Sequence, residues 1–272
     1  MTTSDNIEEV ETIYGVFLGW KDDLVTQHLK DFSAHCRNEL AMLGSLIKEG
    51  DNVLDIGAHI GTFSIPFARH TKERGAVYSF EANPHNYKLL LDNIQNNDLG
   101  RIITPTHAVV ACEVGAEFEM SLPEGGNSGM YRFFPVAKAS GDLLASLDID
   151  EWYAQRESKL GIQLIKIDVE GAEYSVLRSC QEIIRQQKPA IYIEIYRSAL
   201  QQHGSTVEDI EAFLDSHGYH YFRNTGPRNS ATDVFEISAL QRLADGGEFF
   251  DLLAIHPCDA RYPHPASSAD CR

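Results

Sequence analysis

The chain is short of positive charge: 23 Lys and Arg stand against 40 Asp and Glu, a formal net charge of −17. Binding nucleic acid by neutralising phosphates requires the opposite balance, and so does docking on an anionic bilayer. Neither nucleic acid nor a membrane is therefore expected as a partner. Cysteine is sparse as well. Cys36, Cys112, Cys180, Cys258 and Cys271 are odd in number and scattered, with no C-x-x-C pair and no zinc-ligand spacing. That argues against a disulfide framework or a structural metal and points to a reducing, cytoplasmic setting. No apolar run approaches the roughly 18 residues of a membrane helix, and Met1–Val10 lacks the basic and apolar regions of an export signal. The dinucleotide fingerprint G-x-G-x-x-G is missing too, which removes the main sequence support for an NAD-dependent oxidoreductase.

What is present is a rhythm of strands and helices. After a polar start that reads as flexible, apolar residues on one face predict a helix over Asp31–Lys48. Asn52–Gly57 and Ala76–Glu81 read as short apolar strands, each ending in an acid. Asn83-Pro84 then opens a helix as N-cap and first residue. A third strand is expected near Ile102–Val110. Glu117–Leu122 alternates polar and apolar residues before the glycine-rich Pro123–Gly129, and Met130–Val136 is extended again, which signals an inserted β-hairpin. Leu164–Asp168 and Ala190–Ile195 resume the buried strands. Ser205-x-x-Glu208 fits a capping box, and Tyr219–Arg223 with Phe250–Ile255 supply a closing hairpin. Alternation of this kind predicts an α/β fold with a mainly parallel sheet, helices on both faces and ligands beyond the strands' carboxyl ends. The expected organisation is an N-terminal helical extension over 1–48, one domain over 49–256 with the hairpin inserted at about 115–137, and a flexible tail over 257–272.

The turn Asp55-Ile-Gly57-Ala-His59-Ile-Gly61 lies where the first strand meets the first helix. Its glycines permit close backbone approach to a ligand. A carboxylate before such a loop is unwelcome to a pyrophosphate, whereas a sulfonium cofactor with an ammonium group would welcome Asp55. Glu81, at the end of the next strand, stands where a carboxylate accepts both hydroxyls of a ribose, with Ala82 beside it. His107 and Ala108 would flank the adenine.

The densest charged motif is Lys166-Ile-Asp168-Val-Glu170-Gly171-Ala-Glu173. A buried lysine needs a carboxylate partner; Glu194 on the next strand is the first candidate and Asp168 the competitor. At this point three blocks resemble those of the FkbM-type methyltransferases: Val53–Gly61, Phe80–Pro84 and Ile165–Glu173. The resemblance runs from about Glu39 to Ile195. It implies a class I methyltransferase, Rossmann-like fold with a seven-stranded sheet, S-adenosylmethionine as donor, and O-methylation of a natural product or saccharide. One departure is Ser140-Gly141-Asp142, where the family commonly has Leu-Asp-Asp.

Methyl transfer to an alcohol requires alignment of donor and acceptor and gains from a general base. Asp168 and Glu194 are the first candidates for that base, with His59 and His107 as competitors, and Asp168 also faces the cofactor. Alternatively, Asp168, Glu170 and Glu194 could hold one Mg²⁺, a hard cation that prefers carboxylate oxygens. The non-enzymatic alternative is a binding or scaffold module on the same fold. The acids at the strand ends argue against it.

Overall fold

The computed structural model describes residues 6–112, 117–121, 128, 131–136, 144–157 and 160–259. The chain begins with an antiparallel hairpin, β1 (Ile7–Thr12) and β2 (Gly15–Trp20), followed by α1 (Leu24–Phe32) and α2 (Arg37–Leu46). The extension expected to be helical is thus half strand, and the single helix expected over Asp31–Lys48 is two. Ser33 at φ 57° and Cys36 at φ 50° break it in the left-handed region. Part of the start that reads as flexible is strand β1, whose hairpin partner β2 has its free edge met by side-chain hydrogen bonds from Asn93 and Asn97. Asn97 accepts from Val16 N at 3.1 Å and Asn93 from Leu18 N at 2.6 Å.

The domain then alternates β3 (Asn52–Ile56), α3 (Ser64–Thr71), β4 (Ala76–Glu81), α4 (Pro84–Asn96) and β5 (Ile103–His107). Asn83 caps α4 as its sequence predicts, accepting from His85 N at 2.8 Å with Pro84 at the first helical position. Next come β6 (Val109–Val110), β7 (Glu117–Ser121), β8 (Arg132–Val136), β9 (Leu144–Leu147) and α5 (Ile149–Ala154). The inserted hairpin is β7–β8, paired antiparallel from Glu117↔Val136 to Ser121↔Arg132. It joins β9 and β6 in a second sheet of order β6-β9-β7-β8. Ser140-Gly141-Asp142 lies outside the described residues. The remainder is β10 (Ile162–Ile167), α6 (Glu173–Ser179), α7 (Gln181–Gln187), β11 (Ala190–Tyr196), α8 (Arg197–Gln202), α9 (Val207–Ser216), β12 (His220–Asn224), β13 (Ile237–Leu240) and β14 (Phe249–Ile255). The capping box of α9 is built by Thr206 and Asp209, one residue beyond the expected Ser205 and Glu208. The tail from residue 260 lies outside the described residues.

The main sheet runs β13-β12-β14-β11-β10-β3-β4-β5. Five strands, β11 to β5, pair in parallel, and β14, β12 and β13 join them through antiparallel pairings, which leave β12 running with the five. The seven expected strands are all present, with β13 added as an eighth at the edge. Strand alternation divides the core into two layers. Val53, Leu164 and Tyr192 pack against α2, α3 and α4, while Leu54, Ile165 and Ile193 pack against α6, α7 and α9. The central strand β10 is flanked by β3 and β11, so the carboxyl ends of β3, β4, β10 and β11 converge on one rim. Among the described residues no helix is long and apolar enough to cross a membrane.

Candidate active site

The first strand–helix turn is closed by contacts only glycine allows. Gly57 sits at φ 80°, and a Cβ there would lie 1.7 Å from the carbonyl oxygen of Asp168. Gly57 N and Ala58 N both donate to Phe80 O at 2.9 Å, and Asp168 N donates to Ile56 O at 3.0 Å. The turns after β3 and β10 are therefore in direct backbone contact, and β4 supplies the acceptor that shapes the first of them.

Lys166 lies beneath this junction with 2% of its surface exposed. Its ammonium donates to Gly57 O at 2.6 Å and stands 3.4 Å from both Asp55 and Asp168. The expected partner Glu194 is not in this pair, because Arg228 occupies it. Burial alone would lower the Lys166 pKa, but Asp168 and Asp55 outweigh it and hold the ammonium above its ordinary value. Asp55 is fully buried and also accepts from the Ser64 hydroxyl, which contacts Ser79. It lies behind the loop, with Lys166 already as its counter-ion. The expectation that Asp55 would receive a cofactor ammonium is corrected on that ground.

A cavity of about 670 Å³ opens over the converging strand ends, within the roughly 300–1,000 Å³ of ligand sites. Of the residues expected from sequence, Gly57, His59, Glu81, Ala82, Ala108, Asp168 and Glu194 form its wall. Gly61 instead starts the turn into α3, donating to Ala58 O at 2.8 Å. His107 is exposed, stacked on Tyr87 with centroids 4.8 Å apart and hydrogen-bonded to Ala82 O at 3.1 Å. It reaches the site only through Ala82.

Glu81 ends β4 on the wall, 7% exposed. One carboxylate oxygen accepts from His59 N and the other from Asn83 N, each at 2.7 Å. Burial pushes its pKa up to about 7 against those two hydrogen bonds. The His59 imidazole is held neutral, its pKa lowered to about 4 by burial, and its Nε2 lies 2.9 Å from Ser128 Oγ. Ser128 is held in turn by Asp23, which accepts from its N–H at 2.8 Å, and by Asn86, which donates to its carbonyl at 2.8 Å. The His59 ring therefore links the first loop to Ser128.

At the other end of the cavity Asp168, Glu170 and Glu194 converge, with carboxyl oxygens all within 4.8 Å of one another. Burial would raise Asp168, but Lys166 and Arg228 pull it below its usual value. Burial and the neighbouring Asp168 push Glu194 up, against the pull of Arg228. A Mg²⁺ ion does not fit here. Two of the three carboxyls are already matched by fixed cations, which a dication would have to face at close range.

Arg228 is the functional residue that the sequence reading missed. It lies between β12 and β13, contacts Glu194, places Nε 3.0 Å from Asp251 and lies 5.0 Å over the Phe249 ring. Its neighbour Asn229 accepts from Cys36 N at 3.1 Å, and Arg37 holds Asp233 at 2.6 Å. This loop and the α1–α2 segment thus bring His28, His35, Arg228 and Asn229 to the wall. The available signal was Gly226-Pro227 followed by a base and an amide, a turn carrying side chains suited to a ligand.

Burial places three acids of the site above their ordinary range: Glu81 and Glu173 at about 7 and Glu170 at about 8. The folded protein therefore holds protons that the unfolded chain has released, and these groups lower stability as pH rises toward 8. Below about pH 6.5 the partly buried His35, His59 and His203, whose pKa values are lowered, act in the opposite direction. The midpoint of thermal unfolding is expected to fall from pH 6.5 to pH 8.5. A midpoint that rises over this window would contradict these assignments.

Residues 55–221, more than half of the chain, match the Methyltransferase FkbM domain. The chain belongs to the FkbM methyltransferase family. Among its relatives, the 31-O-demethyl-FK506 methyltransferase FkbM of Streptomyces tacrolimicus is 23% identical over 226 residues, covering 72% of this chain and 83% of that enzyme. A tRNA (guanine(37)-N(1))-methyltransferase of Emericella nidulans is 28% identical over 103 residues, or 34% of this chain; the match spans only 21% of that enzyme. Among solved structures, Trm5 of Methanocaldococcus jannaschii in complex with adenosine superimposes with a TM-score of 0.49 at 12% identity, covering 92% of this chain and 55% of that one. Family membership replaces the NAD-dependent oxidoreductase alternative.

Proposed function

We propose that this FkbM-family chain transfers a methyl group from S-adenosylmethionine to a hydroxyl on a small molecule or saccharide. The observation that carries the reading is Glu81, a buried carboxylate on the cavity wall at the end of β4. Each of its oxygens accepts one backbone N–H and keeps a lone pair for a ribose hydroxyl. Ala82 and Ala108 beside it leave room for a flat base. When bound, S-adenosylmethionine supplies a methyl on a sulfonium, an electrophile with a neutral leaving group.

The chain's own part is to align the reactants and exclude water, which contributes roughly 7–11 kcal/mol when the geometry is right. The Gly57–Gly61 loop and Glu81 hold the donor. Asp168, fixed by Lys166, acts as an oriented charge beside the reacting centre, and Glu194 is held in place by Arg228. The wall formed by His28, Asn229, Tyr196 and Phe249 receives the acceptor. The net charge of −17 favours an uncharged small acceptor over tRNA, the substrate named for some relatives. The unpaired thiols of Cys36, Cys180 and Cys258 support a cytoplasmic setting.

Calorimetric titration with S-adenosylhomocysteine tests the donor site, with saturable binding at one site per chain as the expected result. A folded protein that does not bind it would overturn the reading and return the scaffold alternative. With binding established, methyl-labelled S-adenosylmethionine is offered with hydroxylated small molecules, saccharides and tRNA transcripts. Label found only in the tRNA would overturn the acceptor class.

A further inference from the structure

Of the three carboxyls that converge at the ends of β10 and β11, two are each held by a cation. Lys166 stands 3.4 Å from Asp168, and Arg228 contacts Glu194. Glu170 differs from both. Among the described residues no hydrogen bond or ion pair engages its side chain, and it lines the cavity. Its backbone sits in the left-handed region at φ 58°, a strained conformation for a non-glycine residue that persists only where the surroundings impose it. Here they do. Glu173 accepts from Val169 N at 3.3 Å and Gly171 N at 2.9 Å, bracketing Glu170 on both sides. Gly171 packs so closely on α8 that a Cβ would lie 2.6 Å from Ala199 O. The turn is strained in a way that presents one unpaired carboxyl to the cavity.

We propose that Glu170 takes the proton of the acceptor hydroxyl, and that it is ionised by the positive charge of the bound methyl donor. The proposal rests on the S-adenosylmethionine reading above. In the transfer the acceptor oxygen bonds to the methyl carbon while the carbon–sulfur bond breaks, its electron pair staying on sulfur. The hydroxyl proton passes to a Glu170 carboxyl oxygen. A sulfonium and a carboxylate are present before the step, and a thioether and a neutral carboxyl after it. The local charge sums to zero in both states, so a site of low dielectric is never left with an uncompensated ion.

The surroundings of Glu170 agree. Burial, then Asp168 and Glu173, push its pKa up to about 8, while Arg132 and Arg228 pull it down. The groups facing it are Asp168 after β10, Glu173 on α6, Glu194 on β11, Arg132 on β8 and Arg228 between β12 and β13. In the ligand-free protein at neutral pH the carboxyl is mostly protonated. A sulfonium close by favours its ionised form.

The test compares S-adenosylmethionine with S-adenosylhomocysteine, which differ by the methyl group and its charge. Calorimetry at pH 7 in phosphate and in Tris, buffers of unlike ionisation enthalpy, counts the protons released on binding. S-adenosylmethionine is expected to release about one proton more than S-adenosylhomocysteine, and Glu170→Gln is expected to remove that difference while still binding S-adenosylhomocysteine. Equal release by both ligands in the unmodified protein, or a difference that survives Glu170→Gln, overturns the proposal. If the variant does not fold, carboxyl-labelled glutamate in the unmodified protein supplies the readout by NMR. One glutamate titrating near pH 8 with S-adenosylhomocysteine should titrate about a hundredfold or more acidic with S-adenosylmethionine, the shift that releases about one proton at pH 7, and no such shift overturns the proposal. Failure of both ligands to bind overturns the donor site and this inference together. Binding of both without a proton difference overturns this inference alone.

Discussion

Glu81→Ala is expected to weaken binding of S-adenosylhomocysteine by about 30- to 1,000-fold. Each hydrogen bond from a ribose hydroxyl to a charged acceptor contributes about 1.5–3 kcal/mol. Partial rehydration of the vacated site reduces the sum of two such bonds to about 2–4 kcal/mol, at 1.4 kcal/mol per decade. The side chain has a second task, since His59 N and Asn83 N both depend on it. Glu81→Gln keeps an acceptor for one of them and is expected to lose less affinity than alanine. The carboxylate is also the better acceptor, and burial holds its pKa at about 7. Affinity should therefore rise from pH 6 to pH 8 in the unmodified protein and stay flat in the Gln variant. Calorimetry with a circular-dichroism check on folding measures all three. An Ala variant that binds as tightly as the unmodified protein would remove Glu81 from the donor site.

Lys166→Met is expected to cost about 3–5 kcal/mol of stability, because it leaves Asp55 and Asp168 without the cation they share. For a domain of this size each kcal/mol corresponds to a fall of about 2–4 °C in the unfolding midpoint, so a drop of roughly 6–20 °C is expected by calorimetric melting. Asp55→Asn in the same chain removes one of the stranded charges and should recover part of the loss. A double variant whose loss equals the sum of the two single losses would show that the pair is not coupled. Lys166 also holds the carbonyl of Gly57 at 2.6 Å, so Lys166→Met is expected to loosen the donor loop and weaken S-adenosylhomocysteine binding. Unchanged affinity would limit Lys166 to stability.

The parts of the site legible in the sequence are those whose chemistry is local. The Gly57 turn, Glu81 at the end of β4 and the Asn83-Pro84 cap each announce themselves within a few residues. Each is set by backbone sterics and hydrogen bonds that close over short spans. Pairings across the sheet were harder to read. Lys166 requires a carboxylate, but the choice among Asp55, Asp168 and Glu194 depends on the register Lys166↔Asp55 and on Arg228 reaching Glu194 from 34 residues away. His107 stands at a strand end like Glu81, yet its ring turns onto Tyr87 and leaves the wall.

The sequence by itself determined the seven expected strands of the main sheet and their alternation with helices, the acids at the strand ends and the family to which the chain belongs. All of these follow from periodicity and from motifs read along the chain. Only the tertiary structure decided that the first hairpin is ordered, since its free edge is satisfied by Asn93 of α4 and its C-cap Asn97, 75 and 81 residues away. It alone brought Arg228, Asn229, His28 and His35 to the cavity and left Glu170, among the described residues, as the carboxyl of that cluster without a hydrogen bond or ion pair. The reason is physical. Local conformation is fixed by sterics among neighbouring residues, whereas the partner of a buried charge or an edge hydrogen bond is whichever group the packing brings within about 3 Å.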